Sequence, residues 1–286
     1  MPTRTQQCDV LSAAYASHGD TKHVLLFPED PHEAFEFGAL AFDLADRLQT
    51  PVFVMLDLDI GMNHRLCEPF SWDDSRRYDR GKVMGFADLE AGREFGRYLD
   101  IDGDGIPYRT YPGTHPQRGS FFTRGSTRDR YARYTEEGGP YVDNMDRLLR
   151  KFDTAKTLVP APVTHLADQR TPFGVLYFGS TSPAMDEAAE LLRADGIHLD
   201  RLRVRGFPFG REVTDFIDAH ERVFVVEQNR DAQLRTLLLT ECGMDPAMLT
   251  PILHFDGTPI TARFIREAIG GAVKAVPTAA KQRARS

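Results

Sequence analysis

Between residues 173 and 272 the chain repeats one unit four times: an apolar run of strand length, then a helical pattern. FGVLYF (173–178) precedes a helix opened at Ser182-Pro183 and running to about Asp195. LDRLRVR (199–205) precedes a short helix from Arg211 to His220. RVFVVE (222–227) precedes a helix from Asp231 to about Glu241, and PILHF (251–255) one from Ile260 to Ala272. Such repeats leave few solutions, because strands apolar on both faces must be covered by helices on each side. The pattern predicts a small open parallel α/β sheet with helices on both faces.

A related unit stands nearer the start. HVLLFP (23–28) ends at a proline, Asp30-Pro31 supplies an N-cap with proline at the first helical position, and Glu33 falls in the first turn. Ala34, Gly38, Ala41, Ala45 and Leu48 recur at spacings of three and four with Phe35 and Phe42 beside them, which predicts a helix with a broad buried face. Thr50-Pro51 stops it and VFVMLDL (52–58) follows as a strand, so the three elements form a right-handed parallel crossover. From Gly61 to Pro172 periodicity is poor. A helix is predicted over 141–158, with Val142, Met145, Leu149, Phe152 and Ala155 sharing one face. Pro160, Pro162 and Pro172 then mark a domain boundary.

Composition excludes several function classes. The 286 residues carry a formal charge of -7, which argues against sequence-independent nucleic-acid binding on a basic face. The longest apolar stretches are strand-sized, well short of the roughly 20 residues of a membrane-spanning helix. Met1 to Val10 is polar and has no signal-peptide core. Residues 273–286 are a basic tail with Lys274, Lys281, Arg283 and Arg285, expected to be solvated. Cys8, Cys67 and Cys242 form no C-x-x-C pair, so neither a disulfide framework nor a four-cysteine metal site within the chain is expected. These features together point to the cytoplasm, with any electron carrier on another chain.

Three motifs stand out. Asp100-x-Asp102-x-Asp104-Gly105 copies the first half of a calcium loop, but Tyr111 stands where a bidentate glutamate closes such a site. The alternative is a tight Asp/Gly turn in which the carboxylates cap nearby amides. Gly179-Ser180-Thr181-Ser182-Pro183 follows a strand and opens a helix, yet lacks the glycine spacing and the lysine of nucleotide loops. Ser182 is expected as an N-cap there. Glu227-Gln228-Asn229-Arg230-Asp231 ends a strand where open sheets gather ligands. It suits an interface or a cleft rim, with a solvated capping loop as the alternative. Nine scattered histidines form no readable catalytic constellation, although His18 and His115 lie in turns that could line a cleft.

Several stretches, taken in order, resemble a known family. They are Pro2-Thr3-Arg4-Thr5-Gln6-Gln7, His18-Gly19-Asp20, Asp57-Leu58-Asp59-Ile60-Gly61-Met62-Asn63, Asp102-Gly103-Asp104-Gly105-Ile106-Pro107-Tyr108-Arg109 and Pro112-Gly113-Thr114-His115. Phe207-Pro208-Phe209, the run from Val225 to Gln233 and Asp256-Gly257-Thr258-Pro259-Ile260-Thr261 complete the set. Over about residues 1 to 272 the chain resembles the C-terminal half of the alpha subunit of 2-oxoacid:ferredoxin oxidoreductases, nearest the 2-oxoglutarate branch.

The resemblance implies an enzyme subunit. Such enzymes oxidatively decarboxylate a 2-oxoacid with coenzyme A, giving acyl-CoA, CO₂ and reduced ferredoxin. A beta subunit is the implied partner, holding thiamine diphosphate, Mg²⁺ and an iron–sulfur cluster, while this chain alone holds none. Residues 1–165 would be the later part of the pyrimidine-side thiamine-diphosphate-binding domain. Residues 172–272 would be a small Rossmann-like domain of the type found at the C-terminus of transketolases. The family's activating glutamate and its arginine-bearing substrate segment precede the part matched by Pro2-Thr3, and neither is in this sequence. No catalytic, cofactor or metal residue is therefore carried over. Thr3, Arg4, Gln7, His18 and Asp20 inherit proximity to the substrate loop, and Glu227, Gln228, Asn229, Arg230 and Asp231 an interface near the cofactor cleft. Without an N-terminal part of the alpha subunit the isolated chain is expected to be inactive, with an open edge on one of its first strands. The alternative, of a different class, is a non-catalytic assembly or interaction module derived from that subunit.

Overall fold

A computed structural model describes residues 4, 6–62 and 64–275. Its elements in chain order are α1 (Val10–Ala14), β1 (Val24–Leu26), α2 (Pro31–Leu48), β2 (Val52–Val54), α3 (Leu58–Gly61), α4 (Phe86–Glu90) and α5 (Gly138–Ala155). They continue with β3 (Val163–His165), β4 (Phe173–Phe178), α6 (Ser182–Ala194), β5 (Asp200–Val204) and β6 (Gly206–Phe207). The last are α7 (Arg211–Asp218), β7 (Arg222–Glu227), α8 (Gln233–Cys242), β8 (Leu249–Leu253) and α9 (Ala262–Ala275). Among the described residues no helix is long and apolar enough to cross a membrane.

The four repeats build the larger sheet, ordered β3-β5-β4-β7-β8, in which β5, β4, β7 and β8 run parallel. Period-two alternation sends Val175, Tyr177, Phe224 and Val226 to one face, under α6 and α9. It sends Leu176, Phe178, Val223 and Val225 to the other, under α7 and α8. Helices thus cover both faces, as the continuous apolar strands require. β3 pairs antiparallel on the β5 edge, an addition that the punctuating prolines concealed.

The smaller sheet is ordered β2-β1-β6. β1 and β2 are parallel, as the crossover predicts, but the third strand is Gly206–Phe207, antiparallel to β1 and drawn from the segment following β5. β1 is central and wholly buried, so the open edge belongs to β2. Leu25 and Phe27 enter the same apolar cluster as Leu176, Val204 and Leu234, so one core lies between the two sheets.

α2 begins as its sequence dictates: the Asp30 carboxylate accepts from the Glu33 amide at 2.8 Å. Its buried stripe differs from the one predicted. Phe37, Leu44 and Leu48 face the small sheet, while Phe42 is 81% exposed and Phe35 stacks on Phe70 at 5.0 Å. Three faces of this helix carry apolar residues, and the sheet selects one of them. Phe37→Ala is expected to cost about 4 kcal/mol and Phe42→Ala less than about 0.5 kcal/mol, as urea denaturation of each variant would measure.

α5 departs further. Val142 and Leu149 are exposed, while Arg147 and Lys151 lie buried with Phe152 and Ala155. The cause is the covering element, which is in part a polar loop. Gly105, at φ +78°, approaches the α5 backbone so closely that no Cβ would fit. Its carbonyl accepts from the Arg147 guanidinium at 3.0 Å, and the Asp104 carbonyl from the Thr154 hydroxyl at 2.7 Å. In the same loop Asp100 accepts from the Gly103 and Gly105 amides, each at 3.0 Å. Lys82 Nζ stands 2.7 Å from both Asp102 and Asp104. This is the tight Asp/Gly turn of the sequence reading.

One cap also moves. Gly179–Thr181 forms a 3₁₀ turn that runs directly into α6, so Thr181 is the cap residue and Ser182 is already helical. The Ser182 hydroxyl instead donates to Glu29.

Candidate functional site

In the larger sheet the connection after β4 leads through α6 to β5 on one side, and that after β7 leads through α8 to β8 on the other. The carboxyl ends of β4 and β7 therefore flank the point where the winding reverses, which is where open α/β sheets receive ligands. Here that crevice receives the chain's own N-terminal segment. The Gln7 amide donates to the Phe178 carbonyl at 3.1 Å, to Asp57 Oδ2 at 3.4 Å and to Thr181 Oγ1 at 3.4 Å. Its carbonyl oxygen Oε1 accepts from the Gln228 backbone amide at 3.1 Å, and its backbone amide donates to the Gln228 carbonyl at 2.8 Å.

Glu227, Gln228 and Asn229 are buried at 0%, 1% and 3% exposure. They do not line an open rim. The Glu227 carboxylate accepts from the Leu234 and Arg235 amides at 2.7 and 3.0 Å and from the Asn229 side chain at 2.8 Å, capping α8 from below. Burial pushes its pKa up, against the pull of those donors. Asn229 also donates to the Gln7 carbonyl at 3.2 Å and accepts from the amides of Asp231 and Gln233. The Gln228 amide reaches Ser180 Oγ at 2.8 Å and Thr181 Oγ1 at 3.2 Å, and the Ser180 hydroxyl donates to Asp57. Asp57 in turn caps α3 through the amides of Asp59 and Ile60. Arg230 and Asp231 stay at the surface, paired with each other at 2.8 Å.

The other predicted residues are distributed unevenly. Arg4 is exposed and lies against the Asp256–Thr258 turn, where Gly257 at φ +84° leaves room for the arginine stem. His18 and Asp20 are exposed in the loop before β1, and no hydrogen bond joins them to Gln7 or to the 227–231 run. Thr3 lies outside the described residues. His115 lies elsewhere: its Nε2 stands 2.6 Å from Glu90, and its Nδ1 accepts from the amides of Gln117 and Arg118. Asp57, Ser180 and Thr181 also belong to the junction; Asp57 falls in a family-like stretch and the other two in the Gly179–Pro183 turn, but neither stretch by itself marks them apart from ordinary caps. Knowing the strand order would have found them.

The arrangement can hold and orient the N-terminal segment. A cleft beside Gln7, lined by Gln6, Cys8, Met55, Asp57 and Gly179 among others, has about 30 Å³ of open volume, roughly one water's share of the liquid. Its side-chain donors are already engaged with one another, and among the described residues no group of three His, Cys, Asp or Glu side chains is placed to hold a metal ion. A cleft of about 30 Å³ is too small for thiamine diphosphate, so the residues around Gln7 do not fit that group.

Comparisons with known proteins bear on the same residues. Residues 1–77 match the family model described as pyruvate flavodoxin/ferredoxin oxidoreductase, thiamine-diphosphate-binding. The chain is 30% identical over 289 aligned positions to 2-oxoacid:ferredoxin oxidoreductase 2, subunit alpha, of Aeropyrum pernix. That match covers 99% of this chain and 42% of the relative. It is 24% identical to the 2-oxoglutarate synthase subunit KorA of Methanothermobacter marburgensis, covering 87% and 64%. In fold it is similar to the solved 2-oxoglutarate:ferredoxin oxidoreductase of Magnetococcus marinus, with a TM-score of 0.80 at 18% identity, covering 96% of this chain and 46% of that one. The chain spans less than half the length of the Aeropyrum relative. By these matches it is similar in sequence to the alpha subunits of 2-oxoacid:ferredoxin oxidoreductases, over a portion of their length.

Proposed function

We propose that this chain serves as a portion of the alpha subunit of a cytoplasmic 2-oxoacid:ferredoxin oxidoreductase, acting on 2-oxoglutarate. Residues 1–165 are the later part of a pyrimidine-side thiamine-diphosphate-binding domain. Residues 172–272 are a transketolase C-terminal-type domain whose own ligand crevice is filled by Gln7. Its partner is a beta subunit that carries thiamine diphosphate, Mg²⁺ and an iron–sulfur cluster, with coenzyme A and ferredoxin reached through the complex. In this reading Arg4 and Gln7 anchor a segment that leads to the substrate loop, and His18 and Asp20 stand near it. The observation that carries the reading is convergence. Residues from four of the family-like stretches, Arg4 and Gln7, Asp57, Gln228 and Asn229, and Gly257, meet around one N-terminal segment.

The test is co-expression with a beta subunit and the remaining alpha-subunit segments, followed by 2-oxoglutarate- and CoA-dependent dye reduction. The assembled complex is expected to turn over and the 286-residue chain alone is not. Asn229→Ala should cost about 2 kcal/mol of stability and lower turnover or assembly while leaving the fold intact. A monodisperse monomer that reduces the dye unaided would refute the reading. A complex that assembles without turnover would transfer it to the assembly-module class.

A further inference from the structure

Away from the junction, the loop before Asp100 and helix α5 gather more positive charge than the carboxylates beside them offset, among the described residues. The guanidinium carbons of Arg97, Arg128 and Arg147 stand 5.4, 5.6 and 5.6 Å from the centre of the Tyr98 ring. Arg147 is 7% exposed, and its hydrogen bonds go to the Gly105 carbonyl and, at 3.5 Å, to Asn144 Oδ1. Arg128 donates to the Gly125 carbonyl at 2.9 Å and to the Tyr98 hydroxyl at 3.4 Å. Lys151, one turn along α5, is equally buried and lies over the Phe152 ring. None of these four cations has a carboxylate within ion-pair distance among the described residues.

Beside them opens a recess of about 130 Å³, lined by Tyr98, Asp100, Arg130, Asp143, Arg147 and Arg150 together with one leucine. Its two acids are already engaged, Asp143 at the rim with Arg130 at 2.7 Å and the largely buried Asp100 side chain with Arg150 at 3.1 Å. Burying a cation without a counter-charge costs several kcal/mol, and like charges add to that cost. Burial first, then neighbouring Arg97, holds the Arg147 pKa below its ordinary value. A multiply charged oxyanion would remove the penalty.

We propose that this recess binds a phosphate group, with Arg147 at its floor and Arg130 and Arg150 closing on it from the rim. Guanidinium forks match phosphate oxygens in pairs, and the recess has room for about four waters' worth of ligand. Counting Arg97, Arg128 and Lys151 just beyond the lining, six cations stand against the two carboxylates Asp100 and Asp143, so a dianion is the better match. The inference is independent of the oxidoreductase reading, since it concerns a surface that the junction does not touch.

Isothermal titration of the 286-residue chain in a chloride buffer tests it, with inorganic phosphate, glycerol 3-phosphate and acetate as separate titrants. Phosphate or its ester is expected to bind at millimolar affinity or tighter, with acetate at least roughly tenfold weaker. Tighter binding of the ester assigns the site to a phosphorylated molecule, and tighter binding of inorganic phosphate to the free ion. The double variant Arg130→Gln/Arg150→Gln should weaken binding at least tenfold, and so should Arg147→Gln if circular dichroism shows it folded. Arg193→Gln, a surface residue paired with Glu190, should change nothing. Absence of phosphate binding, acetate binding as tight, or an unaffected rim double variant would overturn the proposal.

Discussion

Replacing Glu227 by alanine is expected to destabilise the folded chain by about 3 kcal/mol. The carboxylate is fully buried and satisfies the amides of Leu234 and Arg235 as well as the Asn229 side chain. Alanine orphans two buried helix amides and leaves a void beneath α8. Glu227→Gln keeps one acceptor oxygen and should cost about 1 kcal/mol. The pH dependence has a defined sign. Burial raises the folded pKa above the ordinary 4.5, so the folded state holds a proton more tightly than the unfolded chain does. The wild type therefore loses stability as pH rises from 4.5 through the raised value, and Glu227→Gln removes that slope. Urea midpoints collected across the acid range would measure both effects. An alanine variant within about 0.5 kcal/mol of wild type would show that the cap is dispensable.

Lys151→Met is expected to act in the opposite direction, stabilising the protein by about 2 kcal/mol at pH 7 in phosphate-free buffer. Desolvation, followed by the charges of Arg147 and Arg97, pulls the Lys151 pKa from 10.5 down to about 8. Below pH 8 the buried ammonium is charged in both states and its full penalty is present. Between 8 and 10.5 the folded chain has released a proton that the unfolded chain still holds, so wild-type stability rises with pH. Above 10.5 the penalty is gone. The difference between wild type and Lys151→Met should thus shrink across that interval. A difference that is absent at pH 7, or that fails to shrink, would contradict the picture of an uncompensated buried cation.

The repeats were legible because both signals that define them are local. β7 spans the predicted 222–227, and the Asp30-Pro31 start of α2 needed only its own first turn. What escaped was set by partners distant in sequence. Nothing in Gly206–Phe207 announces a strand antiparallel to β1, since two residues have no period to read. On α5 the periodicity counts apolar side chains, whereas the loop at Gly105 offers carbonyls and selects Arg147. At the junction, Glu227, Gln228 and Asn229 were found as a polar run after a buried strand. Gln7 was singled out only through the resemblance, since a lone glutamine in a polar segment carries no local mark of its place in a crevice over two hundred residues away.

The contact between Gln7 and Gln228 spans 221 positions of chain, and the β1–β6 pairing is nearly as long-range. A ribosome adds roughly 5–20 residues per second, so β1, with β2 already beside it, waits on the order of ten seconds or more before β6 exists. During that interval Leu25 and Phe27, wholly buried in the finished molecule, lack the larger sheet that covers them. Native contacts of such high order also close slowly after synthesis ends. The β1 segment is therefore the part of this fold that depends longest on being shielded while the residues after it are made.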